Sequence, residues 1–175
     1  MNTPYAREHA NTKSEFIFKD NGKMEVKDAA IMWSNFEGRD GFNRSFKLIL
    51  SDAVAEKLKN EGWYVLDREN PDGDVMHMVE IAVGDRAEQY CPNIVRYSTF
   101  NGKRTSTQLG FEDMKILDSG AYEHVSVTIN PREKNKPDKY GTIKGYLGTL
   151  RCIAVPTSSN TYDEEYDRWL EEGEE

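Results

Sequence analysis

Asn93-Ile-Val-Arg-Tyr-Ser-Thr-Phe-Asn-Gly-Lys-Arg-Thr-Ser-Thr-Gln-Leu109 is the stretch that decides the fold. Two runs of strand-forming residues, Asn93–Phe100 and Lys103–Leu109, flank Asn101-Gly102. An Asn-Gly pair tolerates the positive φ that a two-residue hairpin turn demands at both positions, so an antiparallel hairpin is predicted. From Ile94 to Gln108 there is no acidic residue, while Arg96, Lys103 and Arg104 are interleaved with Tyr97 and Phe100. In the predicted register Arg96, Phe100 and Lys103 share one face, and Tyr97 and Arg104 share the other. Each face then sets a ring beside a cation. A nucleic-acid single strand is held by that pairing, cations tracking phosphates and rings accepting unpaired bases. The same pattern also fits an edge hairpin with solvated charges and one ring turned inward.

The neighbouring sequence continues the β pattern. Glu15 to Lys19 alternates around Phe16, Ile17 and Phe18, and Asn21-Gly22 marks another hairpin turn. Met24 to Phe36 reads as one long strand with an irregularity near Asp28, followed by a loop over Gly38 to Arg44 and a strand over Phe46 to Leu50. Ser51 then caps a helix with Asp52 in its first turn, Val54, Ala55 and Leu58 at helical spacing, and Gly62 at its end. Trp63 to Arg68 returns to strand. Asn70 to Gly73 is a turn, and Val75, His77, Val79, Ile81 and Val83 alternate along one strand face. Phe111 to Asp118 suggests a short helical connection. Tyr122–Asn130 and Thr142–Val155 are the last strands, with a basic loop over Pro131 to Gly141 between them. Gly145 and Gly148 inside the final strand signal either a sharp bend or a weak edge. The sum, roughly six to nine short strands and one clear helix, describes a mainly β, mostly antiparallel barrel or sandwich.

The charge is unevenly spread. Thr157 to Glu175 holds eight acidic residues against Arg168 alone, giving −7; the whole chain carries −8, which leaves −1 for residues 1–156. The expected organisation is a flexible N-terminus at 1–13, a β domain at 14–156 and an acidic tail at 157–175. A terminal block of like charge stays solvated and serves as an interaction tail, or competes with another polyanion for basic surface. Within it Tyr162, Tyr166, Trp169 and Leu170 fall on one face of a short amphipathic helix. That face either docks on the chain's own domain or meets a partner.

Signals for catalysis are weak. Cys91 and Cys152 form neither a CxxC nor a zinc spacing, which fits free thiols in a reducing cytosol. No basic-plus-apolar leader and no apolar run of ~18 residues argues for secretion or a membrane span. His77 falls on the apolar face of its strand, as a satisfied core histidine does, and adjacent Glu123 and His124 point to opposite faces. A calcium loop counted from Asn70 meets Ile81 where a glutamate is needed. No GxGxxG, GK[ST], GxSxG or HExxH occurs. No cofactor or metal is expected, and no enzyme activity.

Two further stretches repeat the basic-aromatic theme. Pro131 to Lys144 carries Arg132, Lys134, Lys136, Lys139 and Lys144 against Glu133 and Asp138, a net of +3, with Tyr140 beside them. Arg39 to Arg44 places Phe42 between two arginines. Phe42 is either a plug into the core or a stacking platform.

Met24 to Ala29, Trp33 to Phe36, Arg44 to Phe46, the strand Lys47–Leu50 leading into the capped helix, Gly62 to Val65, and Ile143 to Leu147 together resemble bacteriophage single-stranded DNA-binding proteins over roughly residues 23–155. The resemblance implies an OB-like β-barrel that coats single strands in phage DNA replication or recombination. It also implies an acidic C-terminal tail that contacts replication partners or occupies the DNA groove. This tail differs in ending Glu174-Glu175, with Trp169 and Leu170 set further in.

The expected function is therefore non-enzymatic, sequence-nonspecific binding of single-stranded DNA in the cytoplasm, the host cell's if the chain is phage-encoded. The expected DNA-contacting residues are Arg39, Phe42, Arg44, Arg96, Tyr97, Phe100, Lys103, Arg104, Lys134, Lys136, Lys139 and Tyr140. Tyr162, Tyr166, Trp169 and Leu170 are the expected partner-binding residues. The alternatives are a protein-interaction or virion-associated β module, an inhibitor of a host nucleic-acid enzyme, and a small nuclease.

Overall fold

The computed structural model describes residues 14–84, 91–120 and 122–154. The segment 1–13 and the acidic tail, with Tyr162, Tyr166, Trp169 and Leu170, lie outside the described residues. In chain order the strands are β1 (Glu15–Phe18), β2 (Met24–Lys27), β3 (Ile31–Asn35), β4 (Ser45–Leu50), β5 (Val65–Glu69), β6 (Val75–Ala82), β7 (Asn93–Phe100), β8 (Lys103–Leu109), β9 (Tyr122–Asp138) and β10 (Gly141–Ala154). The helix α1 (Asp52–Glu61) joins β4 to β5, and 3-10 turns occupy Arg39–Gly41 and Met114–Ser119.

The main ladder runs β1-β2-β9-β10-β6-β4-β3. β2 and β3 are two halves of one kinked segment, broken at Asp28, whose φ is +51°. At the kink Ala29 N donates to Val125 O on β9 (2.7 Å), and Ala30 O accepts from Ile49 N on β4 (2.9 Å). One continuous segment therefore bonds to both ends of the path β9-β10-β6-β4, and the sheet curls towards itself as a partly open, OB-like barrel. The expected mainly β, OB-like class holds. Two of its pairings are parallel, β10 with β6 and β10 with β7. β1 extends the barrel as a flap on β2, and β5 lies along β6 beside β10.

The core follows from alternation. Phe46, Leu48 and Leu50 of β4, Val79 and Ile81 of β6, Val127 and Ile129 of β9, and Leu147 and Leu150 of β10 are buried together. The rings of Phe36 and Phe46 stack inside, 5.7 Å apart. α1 closes one side with Ala55 and Leu58. Its ends match the sequence expectation: the Ser51 hydroxyl accepts from Val54 N, and left-handed Gly62 donates to Leu58 O and Lys59 O. His77 is satisfied by carboxylates, Asp67 at 2.6 Å and Asp52 at 3.0 Å, which tie β6 to β5 and α1.

Several local expectations are revised. The β1–β2 connection spans Lys19 to Lys23, because Phe18 rather than a nearer residue pairs with Met24. β6 is buried on both faces: Met76 and Met78 pack outside the barrel against Ile49, with Ala30, Met32 and Leu66 around them. The stretch Pro131 to Gly141 is not a loop. β9 continues to Asp138 and pairs with β10, so the basic segment is a two-stranded arm turning at Lys139-Tyr140.

Gly145 and Gly148 serve different purposes. A Cβ on Gly145 would stand 2.6 Å from a Trp63 ring carbon, so the missing side chain lets that indole lie against β10. Gly148 is the extra residue of a bulge, since Leu147 pairs with Ile129 and Thr149 with the adjacent Thr128. Before the bulge Gly145 and Leu147 face the core; after it Leu150 and Cys152 do.

Candidate nucleic-acid interface

Residues paired directly across strands point to the same face of a sheet, so the register maps the barrel's outer wall. One row runs Asn35, Ser45, Ala82, Tyr146, Asn130 across β3, β4, β6, β10 and β9. The next contains Met32, Lys47 and Glu80, with the pair Lys144 and Arg132 on the far strands. Lys47 is tied to Glu80 at 2.7 Å. Arg132 and Lys144 both approach the Tyr146 ring, at 4.6 Å and 5.4 Å from its centroid. The alternation that buries Phe46, Ile81 and Leu147 thus leaves a ring and a set of cations on the opposite face.

Two connections flank this wall. The β9–β10 arm rises at one end. Its tip is organised by Asp138, which accepts from Lys134 Nζ (3.0 Å) and Tyr140 N (2.8 Å). Those two hydrogen bonds, Lys134 first, hold the carboxyl below its ordinary range. Tyr140 stays half exposed, meets Tyr64 edge-on at 5.1 Å between centroids, and has Lys139 Nζ 5.0 Å from its ring. Below it a cleft of ≈ 550 Å³ is lined by Tyr64, Lys134, Tyr140, Lys144 and Glu80 among others. Lys136 is exposed near the tip.

The β3–β4 connection lies at the other end. Asp118 anchors it, accepting from Ser34 Oγ (2.7 Å), Phe36 N (2.8 Å) and Glu37 N (3.0 Å). Phe42 is 72% exposed, so the plug reading gives way to an open ring. Arg39 donates to Asn35 Oδ1 and Ser34 O. Arg44 is turned inward, donating to Phe36 O (2.9 Å) and Phe111 O (3.4 Å), with its guanidinium 4.8 Å from the Phe111 ring centroid.

The β7–β8 hairpin has the predicted two-residue turn, with φ of +51° at Asn101 and +77° at Gly102. Phe100 pairs with Lys103 in register. Tyr97 and Arg104 share a face as expected, and the guanidinium sits 5.2 Å from the ring centroid. β7 docks in parallel on the later half of β10, where Tyr97 pairs with Ile153 and Arg96 with Cys152. Arg96 therefore lies on the inner side and Tyr97 on the outer. Tyr146 and Ile153 are seven residues apart, so this patch stands about 20–25 Å along β10 from the first. The candidates form no single tight cluster: Arg44 and Arg96 turn inward, and the others are spread over the β3–β4 connection, the β9–β10 arm and the β7–β8 hairpin.

Sequence reasoning missed Trp33, Tyr64, Arg68 and Tyr146. Trp33 is half exposed, with the Arg68 guanidinium carbon 4.8 Å from its ring centroid. Their signal was composition alone, an aromatic or a cation within a strand, and only the register shows which face each occupies. Among the described residues no group of three or more His, Cys, Asp or Glu could hold a metal. None of the described helices is long and apolar enough to cross a membrane.

An OB-like wall of strands flanked by two connections, with rings and cations outside, is the architecture of a single-strand-binding module. A family described as "Putative phage ssDNA-binding domain" matches residues 13–166, and the chain belongs to that family of single-stranded DNA binders. Among solved structures it is similar to the single-stranded DNA-binding protein from bacteriophage Enc34. The C-terminal truncation of that protein matches with 13% identity over 81% of this chain and 91% of that one, at a TM-score of 0.47. The complex of that protein with ssDNA matches with 13% identity over 83% and 98%, at 0.46. No curated protein matches the chain.

Proposed function

We propose that this protein coats single-stranded DNA without sequence preference during phage DNA replication or recombination, in the host cytoplasm and without catalysis. The observation that carries the reading is the Tyr146 ring on the outer wall with Arg132 and Lys144 at 4.6 Å and 5.4 Å. Rings offer every base a stacking surface, and flexible cations follow the phosphates whatever the sequence. The arm residues Lys134, Lys136, Lys139 and Tyr140 extend the path at one end, with Arg39 and Phe42 at the β3–β4 connection, which the inward Arg44 braces through Phe36 O and Phe111 O. The hairpin adds Tyr97, Phe100, Lys103 and Arg104, with Arg96 behind them on the inner side. The acidic tail competes for this surface or engages replication proteins through Tyr162, Tyr166, Trp169 and Leu170. Its deletion at Thr157 is expected to tighten DNA binding at low salt.

The test is a titration of fluorescent oligo-dT and of matched duplex across a salt series, with and without magnesium. Salt-sensitive preference for the single strand supports the reading. No binding favours a protein-interaction module, and magnesium-dependent cleavage would show an enzyme.

A further inference from the structure

Trp33 is held in a way that packing does not explain. It sits where the register of β3 on β4 slips, between Met32 and Asn35. Its backbone is left-handed, with φ of +50°, a genuine outlier for a bulky residue. The other described non-glycine residues with positive φ are Asp28, Asp40, Asn101 and His124, types that enter this region several-fold more readily. The strain does not serve to bury the indole, which remains 51% exposed. Backbone strain retained without a packing return is characteristic of functional positions.

The placement of its partner is equally specific. Arg68 lies on β5, and β3 and β5 flank the β4–β6 pair on opposite sides. Their side chains therefore meet across the outer wall, on the side where Ile49 and Met78 pack with Met32 and Leu66. A guanidinium is planar, stacks on aromatic faces and is the preferred binder of phosphate. On this wall it occupies the space a stacked base would take.

We propose that Trp33 is a base-stacking platform whose seat is kept by the Arg68 guanidinium in the free protein, and that an incoming base displaces Arg68 onto the strand's phosphate. This rests on reading the outer wall as the DNA interface. The slip at Met32–Asn35 turns the indole out over the wall, and Arg68 keeps it solvated on one side only until DNA arrives. No bond is made or broken. One stacked cation exchanges for one stacked base and one new phosphate contact.

The experiment titrates oligo-dT into the full-length protein and its Trp33→Leu, Trp33→Phe, Arg68→Ala and Lys144→Ala variants over a salt series, with circular dichroism to check folding. Trp33→Leu is expected to weaken binding about tenfold and Trp33→Phe by much less. Arg68→Ala is expected to reduce the log-log salt slope by about 0.7, one phosphate contact. Tryptophan emission of the unaltered protein is expected to fall on binding, and that fall to shrink in Trp33→Phe. Should Trp33→Leu fail to fold, the emission change and the Arg68→Ala slope still decide. Unchanged binding by Trp33→Leu together with weaker binding by Lys144→Ala overturns this platform and leaves the interface standing. Unchanged binding by all four variants overturns the interface itself.

Discussion

Tyr140, at the turn of the β9–β10 arm, presents its ring edge-on to Tyr64 beside the start of β5, with 5.1 Å between the centroids. The contact fixes the arm over the cleft while leaving both rings about half exposed. Replacing Tyr140 by Ala removes a stacking surface worth ~1–3 kcal/mol per base. Oligo-dT affinity is expected to fall about 5- to 150-fold, with the melting temperature little changed because the side chain is exposed. Tyr140→Phe keeps the ring and should bind nearly as the unaltered protein does; equal affinity for Tyr140→Ala would remove the arm from the interface.

Arg104 tests the distant patch. Its guanidinium rests on Tyr97 on the outer side of the hairpin. If this side meets the backbone of the strand, Arg104→Ala is expected to flatten the log-log salt dependence by about 0.7. A slope identical to that of the unaltered protein would confine the interface to the barrel and its arm.

Gly145 tests the barrel. An alanine there would place its Cβ 2.6 Å from the Trp63 ring, 3.0 Å from Ile129 and 3.1 Å from Ile81. Overpacking of this kind costs about 1–3 kcal/mol, and at this chain length each kcal/mol shifts the melting temperature by roughly 2–4 °C. A thermal melt of Gly145→Ala that matched the unaltered protein would show that Trp63 can move aside.

Asp67 sets the acid limit at one corner of the fold. Burial alone would raise its pKa, but the hydrogen bonds from Lys59 and His77 outweigh burial and lower it. A lowered folded-state pKa contributes stability above the unfolded value of 3.8, and that contribution is lost as pH falls through the folded value. Asp67→Asn is expected to be less stable than the unaltered protein at pH 7 and to lose less stability between pH 5 and pH 3. Urea unfolding across that range checks both.

The two thiols should differ in reactivity. Burial raises both thiols: Cys152, fully enclosed, is pushed up to about 11, and Cys91 is shifted in the same direction while remaining exposed to reagent. A disulfide-exchange reagent at pH 8 is expected to label Cys91 in the native protein and Cys152 only in denaturant. Rapid labelling of both would mean that β10 opens readily.

What could be read from the sequence was what is decided locally. Ser51 and Gly62 bound α1 because capping involves only neighbouring backbone groups. Asn101-Gly102 fixed a hairpin because turn chemistry is carried by two residues. The arm was hidden because Pro131 and its charges look like a loop, and its strand character comes from partners on β10 such as Lys144 and Ile143. Met76 and Met78 looked solvent-facing by alternation; their burial depends on Ile49, Met32 and Leu66, contributed by three other strands. Trp33 and Arg68 lie 35 positions apart with two strands between them, so nothing short of the register could bring them together.

The bulge at Gly148 absorbs one residue that has no partner on β9: Leu147 opposes Ile129, Thr149 opposes the adjacent Thr128, and Leu150 opposes Val127. Removing that single residue would close the ladder into an unbroken one, with Leu150 and Cys152 still turned inward and Arg151 outward. What would go is the local bend and added twist that an inserted residue gives a strand, and with it the angle at which the later half of β10 carries β7 and the hairpin. A one-codon loss there would re-aim the hairpin while sparing the interior.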